Sequence, residues 1–206
     1  MIDTSTRYHQ AKLALRNQVL SKVRPSRVLD LFSGRGEMWR GAWHRADHYL
    51  GVDVRPWRSD EPHHRLVMSN AKAVAALNLQ AYNIFDLDAY GEPWSIAVAI
   101  AKRRTWAPGE LGALVLTDGS SFKLRFASDA PWLSELIPRH PDLGIRDVTA
   151  DVHRQAIAAW CSVSGVSPTW WSWSGGLTGS GSSKMLYSAT VFCGITGHGP
   201  RGEKVQ

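Results

Sequence analysis

The sequence predicts an α/β fold: a mostly parallel seven-stranded sheet flanked by helices and closed by a C-terminal antiparallel hairpin. Three observations carry this expectation. A short apolar run, 27–32, leads into a turn with two glycines and then into a segment with helical character. Apolar runs of strand length alternate with helix-length segments as far as Thr117. The last part reads as two strand-like runs around a Gly- and Ser-rich connection.

Composition sets the bounds. The chain has 206 residues and 44% hydrophobic content, which suits one compact domain spanning 1–206 with a full core. No apolar run is long enough for a transmembrane helix, so no membrane partner is expected. The first ten residues are polar and lack the apolar centre of a signal peptide, so a cytoplasmic protein is expected. Cys161 and Cys193 are far apart and read as small buried thiols. His63-His64 has no partner ligands at metal spacing, and no metal site is expected. The formal charge of +6 favours a polyanionic partner, and nucleic acid is the expected one.

The elements follow in order. Residues 8–23 read as a helix with Ala11, Leu15 and Val19 on one face and Lys12 and Arg16 one turn apart on another. Pro25 ends it. Arg7, Lys12, Arg16, Lys22, Arg24 and Arg27 occur here with no acid between them. They read either as a solvated face or as an edge that tracks phosphates. Strand one is 27–32. Gly34 and Gly36 can take positive φ and let a ligand approach the backbone; they can also mark only a tight turn. Asp30, towards the end of that strand, can bind a cation or a hydroxyl above the sheet. Residues 38–46 read as a short helix with Trp39 and Trp43 as core residues.

Strand two, 48–54, carries Asp53 about 20 residues beyond the glycine turn, where an acid meets ribose hydroxyls in nucleotide-binding α/β folds. Strand three is 65–68. Ser69 and Asn70 follow it and favour the N-cap of a helix over 71–79. The next strand carries two acids, Asp86 and Asp88, at its end. Pro93 then opens a helix over 94–105, whose closing Lys102-Arg103-Arg104 suits the helix dipole. Strand five is 111–117. Residues 120–147 are less regular, and 151–160 read as a helix. The hairpin has strands at 170–173 and 185–195 around a loop at 175–183 read as a connection. Residues 196–206 are expected to be a flexible tail.

Two stretches carry chemistry. The pattern Asp30-x-Phe32-x-Gly34-x-Gly36 resembles the first motif of class I S-adenosylmethionine (SAM) dependent methyltransferases, which are Rossmann-like. Met38 stands where a dinucleotide fingerprint has its third glycine, which argues against NAD. The resemblance implies SAM as cofactor, with the glycine loop beneath its methionine part. Asp30, Phe32, Gly34, Gly36 and Asp53 would line that site, and Ser69 or Asn70 would meet the adenine. The second stretch, Asp86-Leu87-Asp88-Ala89-Tyr90-Gly91-Glu92-Pro93, is similar to the Asp-Leu-Asp-Pro-Phe-Gly-Ser-Pro segment of tRNA guanine-N2 dimethyltransferases. It is similar more loosely to the Asp/Asn-Pro-Pro-Tyr/Phe motif of amino-directed nucleic-acid methyltransferases. This resemblance implies that Asp88 and the Ala89 carbonyl hold the two N–H groups of an exocyclic amine while Tyr90 stacks on the base. A strand whose acids, Asp86 among them, bind SAM or cap the next helix is the alternative.

Ala89 replaces the family proline, and the chain is far shorter than the tRNA dimethyltransferases. No cysteine lies near Tyr90, which disfavours a cytosine-C5 route. The expected function is methyl transfer to a base amine in RNA or DNA. The alternatives are a small-molecule or protein methyltransferase, and a non-catalytic methyltransferase-fold subunit that binds nucleic acid or assembles with a partner. SAM binding separates the last from the enzymes.

Overall fold

The structure is a computed structural model that describes residues 6–56, 64–89, 91–119, 136, 149–175 and 185–196. In chain order the elements are α1 (Thr6–Lys22), β1 (Arg27–Asp30), α2 (Glu37–Gly41), β2 (His48–Asp53), β3 (Arg65–Val67), α3 (Asn70–Ala76), β4 (Ile84–Leu87), α4 (Trp94–Arg103), β5 (Leu111–Asp118), α5 (Thr149–Ser164), β6 (Val166–Gly175) and β7 (Leu186–Gly194). Short 3-10 turns at Trp43–Arg45 and Leu79–Ala81 lead into β2 and β4. Among the described residues, seven strands form one sheet in the order β3-β2-β1-β4-β5-β7-β6. The first five strands pair in parallel, and β7 lies antiparallel between β5 and β6. The expected mostly parallel sheet with its C-terminal antiparallel hairpin is the observed one.

Alternation along the strands sorts side chains onto two faces. In β5, Leu114 and Leu116 join one core with Phe85, Leu87, Trp94, Ile100 and Trp160. Ala113 and Val115 join the other, with Val28, Ile84, Trp43, Val23 and the α1 residues Leu15 and Val19. Thus α1 is a core element that covers one face of the sheet. It packs closely: a Cβ on Gly41 would lie 2.4 Å from Leu13 Cδ2, so α1 rests on bare backbone at the end of α2.

Three elements differ from expectation. The helix expected over 38–46 stops at Gly41, and the chain turns at Ala42 (φ −142°, ψ −59°) before the Trp43–Arg45 turn. That turn drives Trp43 to full burial, while Trp39 stays half-buried. The first hairpin strand is longer than 170–173, because β6 runs through Pro168 with a register shift between Pro168 and Trp170. Proline is tolerated there because β6 is the sheet's edge and loses no necessary ladder bond. Helix α5 extends past both ends of the expected 151–160. Gly175 itself ends β6, whereas 176–183, most of 120–147 and 197–206 lie outside the described residues.

The contact that fixes α1 is a buried ion pair. Arg16 Nε donates to Asp86 Oδ2 at 2.7 Å, and its NH2 group donates to Asp86 Oδ1 at 2.7 Å. Its NH1 group donates to the Lys12 carbonyl at 3.0 Å. Trp43 Nε1 donates to Asp86 Oδ2 at 2.6 Å. The Arg16 side chain is 1% exposed and that of Asp86 is 0% exposed. Removing one partner of such a pair strands a buried charge, at a cost of about 3–5 kcal/mol. Arg16→Met is therefore expected to lower unfolding free energy by about that amount in urea denaturation. Asp86→Leu combined with Arg16→Met should recover most of it. A single variant within about 0.5 kcal/mol of the parent would contradict the role of this pair.

Candidate functional site

The carboxyl ends of the parallel strands meet at one edge of the sheet, and the glycine loop follows β1 there. Its backbone is pinned on both sides: Leu31 N donates to Asp86 O at 3.0 Å, and Ser33 N to Val52 O at 3.0 Å. Gly34 (φ 51°) and Gly36 (φ 82°) are left-handed. Among the described residues a would-be Cβ on Gly34 meets nothing nearer than the Phe32 carbonyl at 3.8 Å, so the backbone is open to a ligand. Asp53, at the end of β2, grips this loop. Its Oδ2 accepts from Gly34 N at 2.9 Å and its Oδ1 from Arg55 N at 2.8 Å. Lone pairs on both oxygens remain for further donors. Ser69 caps α3 by accepting from Lys72 N at 3.4 Å, and Asn70 is the first residue of that helix.

A cleft opens beside the loop. Its lining includes Phe32, Ser33, Gly34, Arg35, Glu37 and Met38 from the β1–α2 turn, His9 and Lys12 from α1, and Asp88 from beyond β4. The structure therefore brings Phe32 and Gly34 together with Asp88. Gly36, Asp53, Ser69 and Asn70 are not among the lining residues. Ser33 Oγ is buried with no hydrogen-bond partner among the described residues.

Asp88 is a half-buried acceptor. Its Oδ1 accepts from Lys12 Nζ at 2.6 Å and from Thr117 Oγ1 at 2.5 Å, and Arg16 lies 3.6 Å from Oδ2. Burial opposes its charge, but Arg16, Lys12 and the two hydrogen bonds outweigh burial. They hold the Asp88 carboxyl below the usual carboxylate range. Ala89 is buried, and Gly119 N donates to the Gly91 carbonyl at 2.7 Å, which ties the segment after β4 to the end of β5. Tyr90 lies outside the described residues.

Two residues expected at the cofactor lie deeper than expected: Asp30 is 1% exposed and Asp86 0% exposed. Asp30 Oδ1 accepts from Phe32 N at 3.1 Å and its Oδ2 from Tyr49 OH at 3.0 Å. The two acids are register neighbours on adjacent strands. Burial first, and Asp86 second, push the Asp30 carboxyl well above the usual range. Burial also raises Asp86, but Arg16 and the Trp43 N–H oppose it. Both carboxyls are therefore harder to ionise than an exposed acid, Asp30 more so than Asp86. Lys12 and Arg16 also depart from expectation. Neither is a free phosphate contact, because one pairs with Asp88 and the other lies beneath the sheet edge.

Sequence reasoning missed several residues. Lys12, Thr117 and Tyr49 hold the acids, and nothing local marks them, since their partners lie 19 to 76 positions away. It also missed a second buried network at the end of β5. Asp118 Oδ2 accepts from Trp94 Nε1 at 2.8 Å and lies 2.9 Å from His153 Nδ1, while His153 Nε2 lies 2.7 Å from Ser188 Oγ. Ser188 is wholly buried, so this network ties α4 and α5 to the sheet.

Comparison with known proteins places the fold. No family model and no curated protein matches the chain. Among solved structures it resembles the N-methyltransferase NodS from Bradyrhizobium japonicum WM9, with a TM-score of 0.55 and 11% identity over 94% of this chain and 99% of that one. NodS in complex with S-adenosyl-L-homocysteine aligns with a TM-score of 0.53 and 12% identity over 93% and 89%. A geranyl diphosphate methyltransferase in complex with GPP and sinefungin aligns at 0.51 and 13% identity over 92% and 80%. The chain thus has the Rossmann-like class I methyltransferase fold.

The Asp30 carboxyl gives a pH signature. An Asp with a raised folded pKa contributes stability that is full below the unfolded value of about 3.9 and is lost as pH rises through the folded value. Asp30→Asn keeps a side chain of the same shape and removes that titration. Its stability relative to the parent is expected to climb as pH is raised above about 4 and then to level off. Urea denaturation across a pH series reads this directly, and a constant offset at every pH would contradict it.

Proposed function

We propose that this chain is a SAM-dependent methyltransferase that acts on an amine nitrogen. The observation that carries the reading is an ionised carboxylate, Asp88, lining the same cleft as the open glycine loop. The residues fit the cofactor. Gly34 offers bare backbone, Ser33 offers an unpartnered buried hydroxyl, and Asp53 has acceptor capacity for a ribose diol. The bound sulfonium would supply an electrophilic methyl group. Phe32 and Met38 line the cleft with apolar surface, and the loop backbone would seat the methionine part. Ser69 and Asn70 follow β3, whose Val67 is the register partner of Asp53, and would meet the adenine.

The acceptor side follows from Asp88. A carboxylate kept charged accepts N–H bonds and stabilises positive charge growing on nitrogen. The Ala89 carbonyl and Tyr90 would complete an amine-and-base site, giving an exocyclic amine of RNA or DNA as acceptor. The +6 charge supports that reading. A second reading, an aliphatic amine, is favoured by a specific contact, because Asp88 already holds an ammonium, that of Lys12. Labelled methyl transfer onto tRNA, rRNA, DNA, protein and small aliphatic amines separates the two.

Two substitutions test the division of labour. Asp53→Ala is expected to weaken SAM binding by about 1–3 kcal/mol in calorimetry. Asp88→Asn should cut turnover on the order of a hundredfold with SAM affinity little changed. If Asp88→Asn instead abolished SAM binding, the residue would move to the cofactor side. Unchanged SAM affinity in a folded Asp53→Ala chain would refute the ribose assignment.

A further inference from the structure

The contact between Lys12 and Asp88 has features of a ligand site. Lys12 Nζ sits 2.6 Å from Asp88 Oδ1 and 5.3 Å from the centre of the Tyr187 ring. A carboxylate and an aromatic face around one ammonium make a cation cage. The cage opens on the cleft, because Lys12 and Asp88 both line it. Ser33, 5% exposed and with its hydroxyl unpartnered among the described residues, lines the same cleft.

Charge balance says what kind of ligand fits. Asp86 and Asp88 are the two acids of the cluster that pair with cations. Arg16 supplies one cation and is locked by its double bond to Asp86. Lys12 supplies the other from the end of a flexible stem at the cleft wall. A neutral group that displaced Lys12 would leave a half-buried carboxylate undercompensated, which is costly. A ligand bearing its own ammonium can replace Lys12 with no change in net charge.

We propose that Asp88 and Tyr187 form a recognition site for an alkylammonium group, which Lys12 fills as a tethered stand-in. The identification of this cage as the acceptor subsite rests on the aliphatic-amine reading given above. Lys12 then acts as an internal competitor. A neutral aromatic amine has no claim on the cage, and an alkylammonium must evict Lys12 to enter.

The test uses the full chain and n-butylammonium chloride as probe. Lys12→Met, which keeps the stem and removes the charge, is expected to bind butylammonium at least tenfold more tightly than the parent in calorimetry at low salt. Aniline should bind neither chain better than the other, and adding Asp88→Asn should erase the gain. Should Lys12→Met fail to fold by circular dichroism, the parent chain labelled with carbon-13 and nitrogen-15 lysine gives a second reading. Saturating butylammonium should then move the Lys12 Cε–Nζ signal to the position of solvent-exposed lysines. No gain in the folded variant, or an unmoved Lys12 signal, overturns the cage. SAM binding by the parent chain is measured alongside. SAM bound with no butylammonium gain overturns the cage and leaves the methyltransferase reading standing. A butylammonium gain with no SAM bound supports the cage and overturns that reading.

Discussion

The constraint on which the structure depends is a cost: two carboxylates, Asp30 and Asp86, lie side by side in the middle of a sheet. Burial makes both anions unfavourable, and neither strand can turn its acid to water. The molecule resolves this in two ways. Asp30 is held by Tyr49 and the Phe32 amide. Asp86 is held by Arg16 and Trp43. The second solution needs a cation from outside the sheet, so α1 has to dock. Docking places Lys12 and His9 at the wall of the cleft. The acids beneath the edge thus decide which helix frames the site above it.

The fold was legible because its signals are local. Strand-length apolar runs, two glycines after β1, and an acid 19 positions past Gly34 each appear within a short window. Alternating strands and helices then imply a mostly parallel sheet. The site was legible only in part. Asp53 closes β2 and Asp88 follows β4, as their positions near strand ends suggest. The depth of Asp30 and Asp86 was not legible, because it is set by neighbouring strands and by Arg16. The cations of α1 were the hardest. A run of basic residues with no acid between them looks solvated, and only contacts 70 and 76 positions away show otherwise. The same holds for β6, where Pro168 breaks the sequence pattern but not an edge strand.

The two buried networks divide the carboxyl edge between them. Around Asp86, side chains from α1 and from the turn after α2 converge on β4. Around Asp118, side chains from α4 and α5 converge on the end of β5, with Ser188 of β7 behind. Thr117 joins the two regions through Asp88, and the Gly119–Gly91 hydrogen bond joins the loops. Asp88 and Gly91 are thus each tied to the end of β5.

The long reach of α1 also bears on the order in which the chain can be assembled. Helix α1 is made before its partner: Arg16 meets Asp86 only when the chain has grown 70 residues further. Its apolar face then waits longer still, because Tyr187, Ala189 and Val191 of β7 belong to the same core cluster. Until those last strands exist, α1 is a short amphipathic segment with a hydrated guanidinium and no place to bury Leu15 or Val19. Non-local closure of this kind is slow and comes late. Vectorial synthesis therefore makes the glycine loop well before the β7 residues against which the facing helix packs.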